Sequence, residues 1–401
     1  MKHHRALICW LFMVVSCAGL VAADQAARGP EQLARILERF PEADTDKDGK
    51  LTAEEARAYL RKTKAGKSAE SPVVADAASK PIEGVTPGAQ PPASRPDGKA
   101  QARAAKQARR GGDVPKPDFA DLRYGSHPNN TLDLWLAESD RPTPWVVFIH
   151  GGGFVGGDKS SVSGAALSQC LAAGVSFASI NYRFRTEASI NAVLRDAARA
   201  VQFLRYQARS YNLDKTRVAT YGGSAGAGTS LWLAFRDDLA DPTSDDPVLR
   251  ESTRLTAAAS SAGQATYDIL KWRDVLGSDE AMRFYPQSTW PGFYGLKTLD
   301  ELHSEKGKQL RADVDMLGLI SKDDPPVWLG AGDNHDALAH KGDTNHSPKH
   351  SEAVKKRCDD VGIIAVLKVG NRMQPDGDGN RSQIDFLLKH LGVKPTEGSR
   401  R

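Results

Sequence analysis

A glycine-rich turn in the middle of the chain constrains the fold more than any other feature. Residues 218–221, Val-Ala-Thr-Tyr, have the composition of a buried strand, and they run directly into residues 222–228, Gly-Gly-Ser-Ala-Gly-Ala-Gly. A helix-like stretch of small residues, Leu and Trp follows. In a Gly-x-Ser-x-Gly turn between a strand and a helix, the serine is held on a sharp, strained bend that admits only small neighbours. The pattern predicts an α/β fold in which Ser224 lies at the end of a strand.

A second glycine-rich turn occurs earlier in the chain. The apolar run at residues 145–149, Trp-Val-Val-Phe-Ile, ends in His150 and three glycines, Gly151 to Gly153. Glycines allow the backbone to turn its N–H groups toward a reacting oxygen, because no side chain blocks the approach. We interpret His150 as a residue that shapes this loop rather than one that transfers protons. The two turns occur in the order expected of an active site built from strand ends.

With these motifs, residues 118–392 resemble an α/β-hydrolase of the carboxylesterase and acetyl-esterase or lipase type, above all the secreted feruloyl- and acetylxylan-esterase-like group. The tripeptide 181–183, Asn-Tyr-Arg, and Asp196 in the following helix-like stretch add to the likeness. The resemblance implies the α/β-hydrolase fold, with a mostly parallel, doubly wound sheet. It also implies a serine hydrolase that cleaves carboxylic esters and needs no cofactor for catalysis.

The same resemblance implies roles for particular residues. Ser224 would be the nucleophile that forms an acyl-enzyme. The oxyanion hole would consist of backbone N–H groups of Gly152 or Gly153 and of Ala225. The substrate would be a small ester or an acylated carbohydrate.

The acid of the expected triad is left open by the sequence. In this fold the acid follows a late strand, and residues 325–329, Pro-Pro-Val-Trp-Leu, suit that strand. Asp333 and Asp336 follow it, and spacing does not choose between them. The histidine is expected after the last strand, for which residues 363–369 are suitable, but the loop at 370–381 contains no histidine.

The base must therefore come from elsewhere, or be missing. Four histidines lie between Asp333 and the next helix-like stretch: His335, His340, His346 and His350. We take His346 as the candidate to act with Ser224 and with Asp333 or Asp336. A serine hydroxyl without a base is a poor nucleophile. The alternative function is therefore a catalytically impaired α/β-hydrolase that binds a ligand or a partner.

Aromatic residues supply candidate surfaces for a sugar or an aryl group, although packing in the core explains such residues equally well. They are Trp232, Trp272, Trp290, Phe293 and Tyr294. Residues 268–299, which contain several of them, have the composition of a cap over a pocket.

An acidic loop near the N-terminus matches the calcium-binding loop of an EF-hand. Residues 44–55 read Asp-Thr-Asp-Lys-Asp-Gly-Lys-Leu-Thr-Ala-Glu-Glu. Calcium requires hard oxygen ligands at alternating positions and a glycine for the sharp turn. The predicted ligands are the carboxylates of Asp44, Asp46 and Asp48, the carbonyl of Lys50, and the bidentate carboxylate of Glu55. Apolar residues at helical spacing before the loop agree with this prediction.

The first 23 residues have the organisation of a secretory signal peptide. A polar, basic start at residues 2–5 precedes an apolar run at 6–20, and small residues at 21–23 precede Asp24. This pattern predicts export to the periplasm or the medium. Residues 14–17, Val-Val-Ser-Cys, also resemble a bacterial lipobox, and the alternative is a protein anchored by a lipid on Cys17.

Composition divides the mature chain into three parts. Residues 24–61 form the EF-hand segment, residues 62–117 a flexible basic linker, and residues 118–395 the hydrolase domain. Residues 61–117 carry twelve Lys or Arg against five Asp or Glu, whereas the whole chain has a net charge of +4. The remainder is therefore not basic, and we expect no nucleic-acid partner. The linker composition indicates disorder and allows contact with an anionic cell envelope.

Overall fold

The computed structural model describes residues 44–50, 114–334, 340–373 and 382–393. The chain divides into two compact units, Met1–Ala100 and Gln101–Arg401. The expected signal peptide, the lipid-anchor candidate Cys17 and nearly all of the basic linker lie outside the described residues. None of the described helices has the length and hydrophobicity that a membrane span requires.

The second unit contains a nine-stranded sheet within the described residues. Its strands are β1 (Phe119–Arg123), β2 (Thr131–Trp135), β3 (Thr143–Ile149), β4 (Ser176–Ile180), β5 (Leu213–Gly223), β6 (Ala257–Ser261), β7 (Val327–Ala331), β8 (Ala365–Val369) and β9 (Arg372–Met373). Their order in the sheet is β1-β2-β4-β3-β5-β6-β7-β8-β9. The pairs β1–β2, β2–β4 and β8–β9 are antiparallel, and all the other pairs are parallel. The predicted mostly parallel sheet is confirmed.

Helices connect the parallel strands, as crossover connections require. They are α1 (Gly164–Ala172), α2 (Ile190–Tyr206), α3 (Ala225–Phe235), α4 (Trp272–Leu276), α5 (Trp290–Phe293), α6 (Leu299–His303), α7 (Glu305–Ala312), α8 (Met316–Leu319), α9 (Lys341–Asn345), α10 (Pro348–Val361) and α11 (Gln383–His390). Short 3₁₀ turns lie at Lys159–Ser161, Ile269–Lys271, Glu280–Phe284 and Gln287–Thr289.

The sheet is buried on both faces, which explains why its central strands are continuously apolar. On one face, α1 and α11 pack against the sheet, and the buried side chains of the other face meet α2, α3 and α10. Strand β3 contributes to both cores, because successive side chains point to opposite faces. Trp145 and Val147 lie in one core and Val146 lies in the other. The doubly wound arrangement places the carboxyl ends of the parallel strands at one edge, where the two glycine-rich turns after β3 and β5 lie.

An ion pair ties the loop after β4 to helix α2. The Asp196 carboxylate is 4% exposed and accepts hydrogen bonds from Arg183 Nε at 2.8 Å, from an Arg183 Nη atom at 2.7 Å and from the Arg183 backbone N–H at 3.0 Å. The same carboxylate raises the pKa of Arg183. Bidentate pairing of this kind fixes the geometry of both groups. The tripeptide 181–183 is thereby held against the sheet.

Replacing Asp196 by asparagine tests this ion pair. The variant leaves a partly buried guanidinium without its charge partner, so the free energy of unfolding falls by about 3 kcal/mol. Urea denaturation measures the change. The matched control is Asp360→Asn, which breaks the exposed Lys356–Asp360 pair and costs less than about 1 kcal/mol. Equal losses in the two variants would contradict a structural role for the Arg183–Asp196 pair.

Candidate active site

Ser224 occupies a strained bend between β5 and α3. Its backbone has φ 55° and ψ −118°, a conformation that costs a non-glycine residue about 1–3 kcal/mol. The two flanking glycines are needed because the turn packs against the end of β3. A Cβ on Gly222 would lie 2.4 Å from the Ile149 carbonyl oxygen, and a Cβ on Gly226 would lie 1.9 Å from the same atom. The bend therefore has the geometry that the Gly-x-Ser-x-Gly motif predicts.

The structure brings His346 to Ser224. The distance between Ser224 Oγ and His346 Nε2 is 2.8 Å, which is a hydrogen bond. His346 immediately follows α9, and its backbone N–H donates to the Gly342 carbonyl at 3.0 Å. It therefore belongs to the connection between β7 and β8, and not to the segment after β8 where such folds carry their histidine.

Three contacts hold the end of α9 that precedes His346. The Gln264 side chain donates to the Asn345 carbonyl at 2.7 Å, and the Tyr285 hydroxyl donates to the Asn345 side chain. The third contact joins His350 Nε2 to the Thr344 carbonyl at 3.1 Å. These contacts come from three different parts of the chain, and together they restrain the position of the imidazole of His346.

His350 is a structural residue in this arrangement. It is fully buried, and burial lowers its pKa to about 4. The neutral ring accepts the backbone N–H of Ala265 on Nδ1 at 3.3 Å and donates from Nε2 to Thr344. Of the other histidine candidates, His340 precedes α9 and is exposed, and His335 lies outside the described residues.

Burial and a nearby carboxylate act on His346 in opposite directions. Desolvation lowers the pKa of the imidazole, and the negative charge of Asp343 raises it. The net result is a pKa below the ordinary histidine value. A histidine with a lowered pKa is neutral at neutral pH and can accept the proton of a serine hydroxyl.

The two predicted acids follow β7, and one of them is among the described residues. Asp333 is exposed after β7, with its side chain packed against Gly370 in the turn after β8. Asp336 lies outside the described residues. Asp343, which the sequence interpretation did not consider as the acid, is three residues before His346 and accepts the His340 backbone N–H at 2.8 Å. Asp343 lies in α9 and His346 immediately follows it, so the spacing of three residues between them was the signal available in the sequence.

The predicted oxyanion loop lies against the serine turn. A Cβ on Gly151 would be 2.7 Å from the Gly223 carbonyl oxygen, and Gly152 and Gly153 have φ values of 115° and 62°. Among the described residues, the N–H groups of Gly152, Gly153 and Ala225 donate no hydrogen bond outside regular secondary structure. Ala225 is the first residue of α3, so its N–H also has no partner within the helix.

The His150 side chain contacts the loop at residues 151–153 and the ring of Tyr182. Its ring stacks on Tyr182 with centroids 4.3 Å apart, and its Nδ1 lies 2.7 Å from the Gly151 carbonyl oxygen. The Tyr182 hydroxyl donates to the His150 carbonyl at 2.7 Å. Burial lowers the pKa of His150. These contacts agree with the interpretation that His150 shapes the loop.

A cavity of about 460 Å³ opens beside Ser224. Gly153, Ser224 and Ala225 form its base, and the segment at residues 269–293 forms an aromatic wall. Of the aromatic residues considered above, Trp272, Trp290 and Phe293 line this cavity, whereas Trp232 and Tyr294 are buried core residues. Part of the predicted cap therefore contributes to the cavity.

The acidic loop of the first unit is described over residues 44–50. Carboxylate oxygens of Asp44, Asp46 and Asp48 lie within 4.8 Å of one another. Asp44 is 8% exposed, and its Oδ1 has no hydrogen-bond partner among the described residues, while its Oδ2 accepts the Gly49 N–H at 3.0 Å. Gly49 has the positive φ that the sharp turn requires. Three convergent carboxylates fit a hard divalent cation; Glu55 lies outside the described residues.

Comparison with solved structures identifies the fold class of the chain. A solved structure of a truncated carbohydrate esterase from gut microbiota matches at a TM-score of 0.50 and 19% identity, covering 68% of this chain and 96% of that one. An acetyl ester-xyloside bifunctional hydrolase from Caldicellulosiruptor lactoaceticus also matches at a TM-score of 0.50, with 17% identity. That match covers 70% of this chain and 99% of the other. At this identity the likeness concerns the fold. The sheet order, the serine turn and these matches define an α/β-hydrolase fold.

The family follows from the sequence. The BD-FAE family model matches residues 132–349, which is more than half of the chain. The chain belongs to the BD-FAE family.

Curated relatives match over shorter stretches. A probable isoprenylcysteine alpha-carbonyl methylesterase of Oryza sativa subsp. japonica is 36% identical over 200 residues, which cover 49% of this chain and 46% of that protein. A protein of the same name in Arabidopsis thaliana is 30% identical over 143 residues, covering 35% and 29%. Esterase LipI of Mycobacterium tuberculosis is 32% identical over 93 residues, covering 23% and 29%. The chain spans about half or less of the length of these relatives.

Titration of His346 by NMR tests the electrostatics of the site. We expect a pKa below the ordinary value of about 6.5, because burial disfavours the charged ring. Asp343→Asn removes the negative charge that raises this pKa, so the pKa falls further. Asp300→Asn, an exposed carboxylate on α6, serves as the matched control and leaves the titration unchanged. A His346 pKa above 6.5, or one that Asp343→Asn does not move, would overturn this description.

Proposed function

We propose that this chain is a serine hydrolase that cleaves carboxylic esters through an acyl-enzyme on Ser224. The observation that carries the proposal is the 2.8 Å contact between Ser224 Oγ and His346 Nε2 at the base of a cavity. His346 takes the hydroxyl proton as Ser224 attacks the ester carbonyl, and it returns the proton to the leaving alcohol. Water then attacks the acyl-enzyme. His346 takes a proton from the water and returns it to Ser224 Oγ, which releases the acid.

The developing negative charge on the carbonyl oxygen is stabilised by backbone donors. The N–H groups of Gly153, or of Gly152, and of Ala225 have no competing hydrogen bond in the described structure, and the Ala225 N–H is at the positive end of the α3 dipole. Removal of one such donor from an oxyanion hole costs about 10²–10³ in rate in a serine hydrolase. No metal ion or organic cofactor is required for these steps.

One aspartate orients the imidazole and stabilises the imidazolium that forms. Asp343 is the described carboxylate whose charge acts on His346, and Asp333 and Asp336 are the candidates from the expected chain order. The acid in such a triad acts through the other nitrogen of the ring. The triad acid is therefore the one of Asp333, Asp336 and Asp343 whose carboxylate accepts a hydrogen bond from Nδ1 of His346.

The substrate class is an acylated carbohydrate or another small ester. The names of the relatives and of the matched structures support an ester bond, and the aromatic wall of Trp272, Trp290 and Phe293 supports a sugar or aryl group beside it. The signal-like segment at residues 1–23 supports export, with a lipid on Cys17 as the alternative form.

Turnover of 4-nitrophenyl acetate by the full chain tests this proposal. We expect kcat to fall by about 10⁴ or more in Ser224→Ala and in His346→Gln, because each change removes a member of a unit that acts together. His303→Gln is the matched control, because His303 is an exposed histidine on α6 that does not line the cavity beside Ser224. This variant leaves kcat unchanged. Equal rates in wild type and Ser224→Ala would contradict the esterase and would favour a binding protein built on this fold.

We also propose that the loop at residues 44–55 binds Ca²⁺ as a structural site separate from catalysis. The observation that favours it is the buried, unpartnered Oδ1 of Asp44 beside the carboxylates of Asp46 and Asp48. Bound calcium would supply charge neutralisation there, through those carboxylates, the Lys50 carbonyl and Glu55.

Calorimetric titration of the full chain with Ca²⁺ checks this second proposal. One site is expected in wild type, and Asp44→Asn combined with Asp48→Asn weakens binding at least about tenfold, since ligand charge sets affinity in such loops. Asp245→Asn with Asp300→Asn is the matched control for net charge. The absence of any binding heat at millimolar Ca²⁺ in wild type would exclude the site.

A further inference from the structure

Arg185 presents a positive charge to the cavity beside Ser224. It is partly buried, and its guanidinium carbon lies 5.2 Å from the centre of the Phe293 ring. Its backbone N–H donates to the Phe154 carbonyl at 2.7 Å, which ties it to the residue that follows the oxyanion-loop glycines. Its side chain forms no ion pair with a described carboxylate. A guanidinium held over a ring loses less conformational freedom when it binds a ligand.

Lys341 presents a second positive charge to the same cavity. It is the first residue of α9, the short helix that ends beside His346. Its Nζ lies 4.8 Å from the centre of the Tyr285 ring, and like Arg185 it forms no ion pair within the described part of the chain. The two cations are therefore carried by the segments that position the oxyanion loop and the histidine.

Two other cations of this unit are neutralised by carboxylates. The Arg311 guanidinium pairs with Asp268 at 2.9 Å, and Lys271 pairs with Asp315. In contrast, the described residues that line the cavity include neither Asp nor Glu. Apolar walls with one sign of charge concentrate ligands of the opposite sign, because the low dielectric of the walls focuses the field. The described lining of the cavity therefore carries positive charge and no carboxylate, which favours an anionic ligand.

We propose that the ester taken by this cavity carries a carboxylate, which Arg185 and Lys341 bind while Ser224 attacks the ester carbonyl. The inference rests on the esterase function proposed above and specifies its substrate class. The carboxylate belongs either to the acyl group or to the alcohol, for example an acidic sugar or an aromatic acid. The guanidinium forms the directed hydrogen bonds and the ammonium adds a point charge.

Two substrate pairs of matched size test the proposal and separate the two positions. For the acyl side, 4-nitrophenyl hydrogen adipate is compared with 4-nitrophenyl hexanoate. For the alcohol side, 4-carboxyphenyl acetate is compared with 4-carbamoylphenyl acetate. The measured quantity is the ratio of kcat/KM for the anionic ester to that for the neutral ester, after subtraction of uncatalysed hydrolysis. We expect this ratio to exceed about ten in at least one pair, mainly through KM, and to fall as NaCl screens the charges.

Variants of the two cations give the decisive comparison. Arg185→Gln and Lys341→Gln each lower the ratio, and the double variant lowers it about tenfold or more, since hydrogen bonds to charged groups contribute more than neutral ones. Lys306→Gln, an exposed lysine on α7, is the control and leaves the ratio unchanged. Competitive inhibition of 4-nitrophenyl acetate turnover by benzoate and benzamide gives a readout that does not depend on the charge of the substrate. Benzoate binds more tightly to wild type, and the two bind equally to the double variant.

The outcomes distinguish the two proposals. A ratio near one in both substrate pairs, or a ratio that the double variant leaves intact, would overturn the anionic substrate while neutral esters still turn over. Failure of the esterase itself would appear differently, as no difference between wild type and Ser224→Ala on any of the four esters.

Discussion

The bend at Ser224 is the constraint on which the rest of the site depends. A left-handed backbone conformation at a non-glycine residue is held there because β5, α3 and the end of β3 meet with no room for a Cβ on Gly222 or Gly226. The packing of the large buried sheet around this bend offsets the free-energy cost of the strained conformation. That single bend exposes the hydroxyl, places the first N–H of α3 beside it, and brings the loop after β3 into contact.

The histidine that contacts Ser224 comes from a different connection than the usual chain order of such folds predicts. His346 comes from the connection between β7 and β8, where α9 is too short to be stable on its own. Its position depends on contacts of Gln264, Tyr285 and His350 with the residues just before it. A hydroxyl and its base are defined by mutual geometry and not by chain order. The protein thus attains the Ser–His contact although the loop at residues 370–381, after β8, contains no histidine.

The sequence predicts the parts of the structure that depend on local pattern. The strand–glycine–helix pattern identifies residues 222–228 and the α/β class, because the runs at 145–149 and 218–221 have the composition of buried strands and are followed by glycines. Strand Ala257–Ser261 was not predicted, since its small residues lack the β-branched pattern that marks a strand. The choice of His346 among four histidines depends on tertiary contacts across the site. Such contacts have no periodic signature in a single sequence.

The central claim is that His346 makes Ser224 nucleophilic, and covalent labelling tests it most directly. The full chain is incubated with a 4-nitrophenyl ester of an alkylphosphonate, and the modified residue is located by peptide mass spectrometry. We expect stoichiometric phosphonylation of Ser224 Oγ with release of 4-nitrophenolate, and a rate at least about 100-fold lower in His346→Gln, because the serine then lacks its base. Modification of a different residue, or an equal rate at Ser224 without His346, would contradict it.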